Sequence, residues 1–268
     1  MQEKTHNEQT FLNFLSRFAG RLANARHPRF FVKFFIFSFR KKYSISLDDF
    51  IIPEKGYKTF NEFFTRKLKQ NKRTIEKGFI SPVDGIIYDA GEIDEQRRIY
   101  VKHKYFSVDE LIKTNSNSYS SFTVLYLSPS DYHRVHAPFK MDVKTIIYIP
   151  GTLKSVKESK VLKNEELYCH NERIILIGDS EYGKFSIVLV GALMVGKIKL
   201  SFENESQSNM KKACYTIKNY ASSQKIEKGE EIGYFEFGSS VIIMTEDKSL
   251  SQLSYQINQK LKFGNKLL

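Results

Sequence analysis

The sequence predicts an α+β protein: a mostly-β, sandwich- or barrel-like body carrying an N-terminal appendage of amphipathic helices. Three observations lead there. The first forty-odd residues set basic side chains among phenylalanines at helical spacing. From about residue 79 onward, short runs of Ile, Val, Tyr and Phe alternate with turn residues. At 268 residues and 41% hydrophobic composition, the chain is long and apolar enough to bury a core of its own.

Phe11, Leu15, Phe18 and Leu22 recur every three or four residues while Asn13, Arg17 and Arg21 take other faces, so 11–22 reads as an amphipathic helix. Pro28 interrupts it, and a Phe-rich helix is expected from about 29 to 42. Residues 59–69 read as a further helix, with Thr59 as N-cap and Glu62 at capping-box spacing. Strands are expected at 85–88, 98–102, 122–127, 143–149, 174–177, 185–190, 195–200, 232–237 and 241–245. The Ser/Asn-rich stretch 201–209 reads as an exposed loop. No repeat or interdomain linker interrupts the pattern. The division expected is therefore an appendage of residues 1–48 and a body of residues 49–268.

The net charge of +12 favours an anionic partner. Residues 1–43 hold nine Lys or Arg against Glu3 and Glu8, and the same stretch holds nine phenylalanines. Cations and aromatics together, with no recognisable nucleic-acid module, select an acidic membrane surface over nucleic acid. Plain packing of both helices on the body is the alternative these residues leave open. The longest apolar run, 30–39, contains Lys33 and is far short of the roughly twenty residues of a spanning helix. A secretory signal also fits poorly, because Arg40-Lys41-Lys42 stands where a small-residue cleavage site would. The expectation is peripheral attachment on the cytoplasmic side of the cell membrane. Cys169 and Cys214 lack metal-ligand spacing and read as free thiols.

Three motifs carry chemistry. In Asp131-Tyr132-His133-Arg134-Val135-His136, two imidazoles at a strand end can share a pocket; acid–base work, metal binding and structural roles are all open. In Ser81-Pro82-Val83-Asp84-Gly85, Asp84 is either a turn residue or a carboxylate that orients an imidazole. In Phe237-Gly238-Ser239-Ser240, two strand-like runs meet either at an ordinary turn or at a peptide whose serine can attack the carbonyl before it.

In this order, and together with Phe60-Asn61-Glu62-Phe63-Phe64-Thr65-Arg66, Asn171-Glu172-Arg173, Val190-Gly191-Ala192-Leu193-Met194-Val195-Gly196 and Lys228-Gly229-Glu230-Glu231-Ile232-Gly233, the motifs resemble those of the phosphatidylserine decarboxylase family. The resemblance spans roughly residues 40–245. One departure is Ser240, where the family's processing motif has threonine. The N-terminal forty residues match only in character.

The resemblance implies a proenzyme that cuts itself between Gly238 and Ser239. Asp84 would orient His136, His136 would deprotonate Ser239, and the Ser239 oxygen would attack the Gly238 carbonyl. Elimination would leave a large chain, 1–238, and a small chain, 239–268, whose residue 239 has become a pyruvoyl group. The two would stay together as a heterodimer, open to pairing into a dimer of heterodimers. The pyruvoyl group would serve as electron sink while phosphatidylserine loses carbon dioxide to become phosphatidylethanolamine, with His133 returning the proton. No metal is implied. The competing enzyme is a zinc hydrolase using His133 and His136 as ligands, which needs a third protein ligand.

Overall fold

The computed structural model describes residues 20–115, 118–156, 167–192, 197–203, 208, 214–236, 239–253 and 256–267. Its helices are α1 (Arg29–Tyr43), α2 (Phe60–Phe64), α3 (Val108–Ile112) and α4 (Leu167–His170). Its strands are β1 (Gly85–Glu92), β2 (Arg98–Val101), β3 (Lys104–Ser107), β4 (Ser121–Leu127), β5 (Arg134–His136), β6 (Met141–Ile149), β7 (Arg173–Ser180), β8 (Gly183–Gly191), β9 (Ile198–Leu200), β10 (Thr216–Ile226), β11 (Glu231–Phe235), β12 (Ser239–Thr245) and β13 (Lys260–Leu261).

Eight strands form one sheet in the order β10-β6-β7-β8-β12-β4-β1-β13, every neighbour antiparallel. The order is open, with β10 and β13 at its edges, so the α+β class holds and the barrel-like part of the expectation does not: no sheet closes on itself. The edge strand β10 was not expected, because its sequence, TIKNYASSQKI, is polar. That polarity suits an edge, where charged and hydroxyl side chains discourage pairing with another chain. A three-stranded sheet, β5-β11-β9, and the hairpin β2-β3 complete the body.

Expected strands centred on Val, Ile and Phe runs all appear, and β12 is buried at every position. Residues 195–196 and 237, the outer ends of two expected strands, lie outside the described residues. Of the expected loop 201–209, residues 201–203 and 208 are described. Ser208 is buried rather than exposed, and its hydroxyl accepts the Ile198 N–H at 2.7 Å. Gly85 opens β1 where a Cβ would stand 2.5 Å from the Tyr126 carbonyl oxygen. The glycine after Asp84 is thus set by the close approach of β1 to β4.

Of the first expected helix, residues 20–23 are helical and 11–19 lie outside the described residues. Helix α1 runs as expected. Thr59 caps α2 by accepting the Glu62 N–H at 3.0 Å, but this helix stops at Phe64 instead of 69. Beyond it the chain pairs with residues 49–51: Ile51 N–H donates to Lys67 O at 2.8 Å and Lys69 N–H to Asp49 O at 2.9 Å. Those two hydrogen bonds replace the helical ones and outcompete the local propensity.

Two cores result. The main one fills the large sheet, with Phe122, Val124, Phe185, Ile187, Ile243 and Met244 among its buried members. The second gathers Phe50, Phe60, Phe63, Phe64, Ile80, Tyr132 and Phe263, and it receives Ile36, Phe39 and Tyr43 from α1. Helix α1 spends only that one edge on the protein. Phe30, Phe31, Phe34, Phe35 and Phe37 remain 58–65% exposed.

Candidate active site

The turn carrying Asp84 is locked by the C-terminal segment. Ser81 N–H donates to Asn265 O at 2.7 Å, and Gly264 N–H donates back to Ser81 O at 3.0 Å. The Asp84 carboxylate accepts the Phe263 N–H at 2.8 Å on Oδ1 and an Arg73 N–H at 2.9 Å on Oδ2. Arg73 reaches Asp49 with its other arm at 2.8 Å. Asp84 therefore anchors a backbone and a guanidinium, and it makes no hydrogen bond to an imidazole.

His136 ends β5, and its backbone N–H donates to Pro82 O at 2.9 Å, which ties the histidine motif to the Asp84 turn. Its Nδ1 lies 2.8 Å from the Gly229 carbonyl. A carbonyl only accepts, so these partners assign the proton to Nδ1 and leave the lone pair on Nε2. The Tyr132 hydroxyl donates to that Nε2 at 2.9 Å. The Phe263 ring stacks on the imidazole with centroids 3.7 Å apart and 15° between planes. Burial pushes His136 below the ordinary histidine value of 6.5, so it stands neutral and able to accept a proton.

His133 is fully buried, donates from Nδ1 to Asp131 O at 2.9 Å, and packs on Phe64 with centroids 4.2 Å apart. Its Nε2 has no hydrogen-bond partner among the described residues. Burial drives it down to about 3. The two imidazoles contact different rings of the second core: His133 packs on Phe64, and His136 on Tyr132 and Phe263. The motif's frame comes from two arginines. Arg66 donates to Ser130 O at 2.9 Å and Asp131 O at 3.1 Å, and Arg134 donates to Thr65 O at 2.9 Å while forking onto both Glu231 oxygens.

Ser239 begins β12, paired to Leu127 of β4 and Gly191 of β8. It is buried, and its hydroxyl has no hydrogen-bond partner among the described residues. An unpartnered buried hydroxyl costs roughly 1–3 kcal/mol, an anomaly that calls for a reason. Strand alternation puts the Ser240 hydroxyl on the opposite face, beside the buried Tyr168. Gly238, the other half of the expected cleavage site, lies outside the described residues. One hydrogen bond before it, Phe235 N–H donates to His133 O at 3.0 Å, so the His133 backbone adjoins the segment leading into Ser239.

A groove of about 270 Å³ opens over His136, lined by Tyr132, Arg73, Lys67, Lys69 and Lys72 among others. Tyr132, Arg73, Phe263 and Gly229 were not singled out from the sequence as site residues. Tyr132 was readable, since an even spacing of four from His136 in extended chain shares a face. The others reach the site from coil or from far along the chain, and no local pattern marks them. Among the described residues no group of three His, Cys, Asp or Glu is placed to hold a metal ion, so nothing supports the zinc alternative.

A neutral imidazole whose Nε2 lone pair is held by the Tyr132 hydroxyl, an anchored carboxylate and a buried serine with no partner among the described residues are the parts of an enzyme that works by nucleophilic and proton-transfer chemistry. The family model "Phosphatidylserine decarboxylase" matches residues 60–268. Proteins named phosphatidylserine decarboxylase proenzyme are similar over most of their length. The one from Psychrobacter cryohalolentis is 35% identical, covering 86% of this chain and 84% of its own. That from Campylobacter jejuni is 34% identical over 94% and 97%, and that from Francisella tularensis 37% over 82% and 83%. The chain belongs to the phosphatidylserine decarboxylase family. It is an enzyme with the family's pyruvoyl-dependent activity, a lyase of phospholipid biosynthesis made as a zymogen.

The burial of His133 has a measurable consequence. Its folded value is depressed, so between about pH 6.5 and 3 the unfolded chain holds a proton that the folded chain refuses. Stability is then intact above that window, falls as pH falls through it, and changes no further below. The slope expected from this one group is about 1.4 kcal/mol per pH unit. His133→Asn, which keeps a donor for Asp131 O, should lessen the acid slope of the urea-unfolding free energy by that amount; equal slopes would place His133 in a solvated site.

Proposed function

We propose that this chain matures by cutting itself at Gly238–Ser239 and then decarboxylates phosphatidylserine to phosphatidylethanolamine at a membrane surface. The observation that carries the reading is the buried, unpartnered hydroxyl of Ser239 at the start of a strand pinned on both sides. Among the described residues nothing holds that oxygen to a resting partner, so no such bond is lost when it changes bonding.

His136 accepts the Ser239 proton at Nε2, which requires Tyr132 to yield its hydrogen bond. The Ser239 oxygen adds to the Gly238 carbonyl and the Gly238–Ser239 C–N bond breaks, which gives an ester and a free amine on residue 239. Loss of the residue-239 α-proton then breaks the ester C–O bond, freeing the Gly238 carboxylate and leaving dehydroalanine. Water replaces its nitrogen, released as ammonia, to give the pyruvoyl group. The same features suit a pyruvoyl group at position 239: it needs no donor for a hydroxyl that had none. Once formed, that group supplies a carbonyl that withdraws the electrons left by departing carbon dioxide. His133 holds a lone pair at Nε2 rather than a proton, because burial keeps it neutral. The reading of His133 as the acid that returns a proton to carbon therefore requires Nε2 to take up a proton once substrate is bound.

Residues 1–48 are proposed as the membrane-associating part, and 49–268 as the decarboxylase body that becomes a heterodimer of 1–238 and 239–268. No helix among the described residues is long and apolar enough to cross a bilayer. Five exposed phenylalanines on α1 each forgo roughly 1.5–3 kcal/mol of burial in water. Beside them, Arg29, Lys33, Arg40, Lys41 and Lys42 suit an anionic lipid surface, at about 1 kcal/mol each. These features support the reading of peripheral attachment, on the cytoplasmic side.

The direct test is intact mass. Wild-type protein should give a large chain ending at Gly238 and a small chain of about 3 kDa with a ketone in place of its amine. Ser239→Ala should stay whole and inactive while Ser240→Ala still cuts; the reverse would move the nucleophile to Ser240. His133→Ala, where cut, should turn over phosphatidylserine roughly 100-fold more slowly, and wild-type turnover would remove His133 from the chemistry. Changing Phe30, Phe31, Phe34 and Phe35 to Ser should weaken binding to phosphatidylserine-containing vesicles about tenfold or more; unchanged co-sedimentation would leave α1 a packing helix.

A further inference from the structure

The base of the site is steadied by a residue far away in sequence. We infer that Phe263, in the tail of the future small chain, is the positioning residue for His136, and that Asp84 acts on the histidine through it. This rests on the reading of His136 as the base for self-cleavage.

Four observations carry it. The Phe263 ring covers one face of the imidazole at 3.7 Å and 15°, the tightest and flattest ring contact at the site. Its backbone N–H is held by Asp84 Oδ1 at 2.8 Å. Asp84 is itself held by Arg73. The flanking residues are fixed as well: Lys266 N–H donates to Glu76 at 2.8 Å, Leu267 N–H to Phe79 O at 2.7 Å, and Glu76 N–H to Gly264 O at 3.0 Å. Against this, the Nδ1 that a triad carboxylate would grip is already paired with the Gly229 carbonyl. The carboxylate's grip thus falls on the backbone of the stacked ring, and the Gly229 carbonyl sets the tautomer. Phe263 fixes the tilt of the imidazole, so that Nε2 keeps one direction when Tyr132 lets go.

The ring also keeps water off His136, and this separates positioning from mere stability. The groups that face the imidazole are the Tyr132 hydroxyl, Glu231 and Arg134 across β5–β11, Asp84 with Arg73, and the lysines of the groove. Among these influences burial is the largest and lowers the histidine's proton affinity. Removing Phe263 admits water, so the imidazole should charge at a higher pH. The acid limb of the cleavage profile should then move upward, because only neutral His136 can take the Ser239 proton.

The test follows cleavage of the newly synthesised full chain by gel over pH 5–8, for wild type, Phe263→Ala, Phe263→Leu, Phe263→Tyr and His136→Ala. Phe263→Ala should cut about tenfold more slowly at neutral pH, with its acid limb shifted up. Phe263→Tyr should restore both rate and limb, and Phe263→Leu, which fills the space without stacking, should restore neither fully. Leu equal to wild type in both rate and limb would overturn the inference, because space filling alone would then suffice. Wild-type behaviour of folded Phe263→Ala would overturn it as well. If His136→Ala cuts normally, the reading of His136 as base has failed; if it stays whole while Phe263→Ala cuts as wild type, only the role of Phe263 has.

Discussion

Strand β12 is hydrogen-bonded along its whole length to β4 on one side and to β8 on the other, and the rest of the site depends on that double pairing. A strand in the middle of an antiparallel sheet has no freedom to slide, since a one-residue slip would turn every side chain to the wrong face. The first residue of β12 is therefore fixed in space by its neighbours and not by the peptide that precedes it. A chain break at this point leaves Ser239 where it was. The proposed cut before residue 239 would therefore keep a working site, because the sheet, and not the covalent chain, holds that residue.

The second core gives the histidines their properties. Its members Phe64 and Phe263 lie on His133 and His136 respectively, and Tyr132 belongs to it too. The same cluster receives one edge of α1. Desolvation in that small core is the main reason that both imidazoles are neutral, and it acts hardest on the one that is wholly enclosed. Helix α2 is the piece that makes this possible. It is only five residues long; Phe60, Phe63 and Phe64 seat it in the second core, and just beyond it Arg66 and the Thr65 carbonyl tie the chain to the histidine motif.

How far the sequence was legible follows from the same physics. The central strands could be read because buried strands are continuous runs of β-branched and aromatic residues, as in Ile174–Ile177 within β7. The edge strand β10 could not, because edges are selected to look polar. The overlong reading of α2 came from trusting a cap and a local pattern against two backbone hydrogen bonds to residues 49–51 that no local pattern reveals. At the site, the motifs carrying Asp84, His133, His136 and Ser239 announced themselves. Arg73 sits in irregular chain and Phe263 in a turn almost 180 residues beyond Asp84. Long-range hydrogen bonds to backbone leave no trace in composition or spacing, so their partners were invisible.

Asp84 shows why a motif read by analogy needs the geometry. In a relay the carboxylate stabilises the imidazolium by direct contact, and its benefit is electrostatic. Here its two oxygens are occupied by an arginine and a backbone N–H. A carboxylate already paired with a guanidinium presents little net charge to a neighbour, so its electrostatic help to His136 is small. What remains to it is mechanical: it joins residue 73, the turn at 81–85 and the tail at 263. Under the proposed cut, two of these would belong to the large chain and one to the small. The pairing proposed to orient the base would thus also join the two products of the proposed cleavage, and it is in place in the uncut chain.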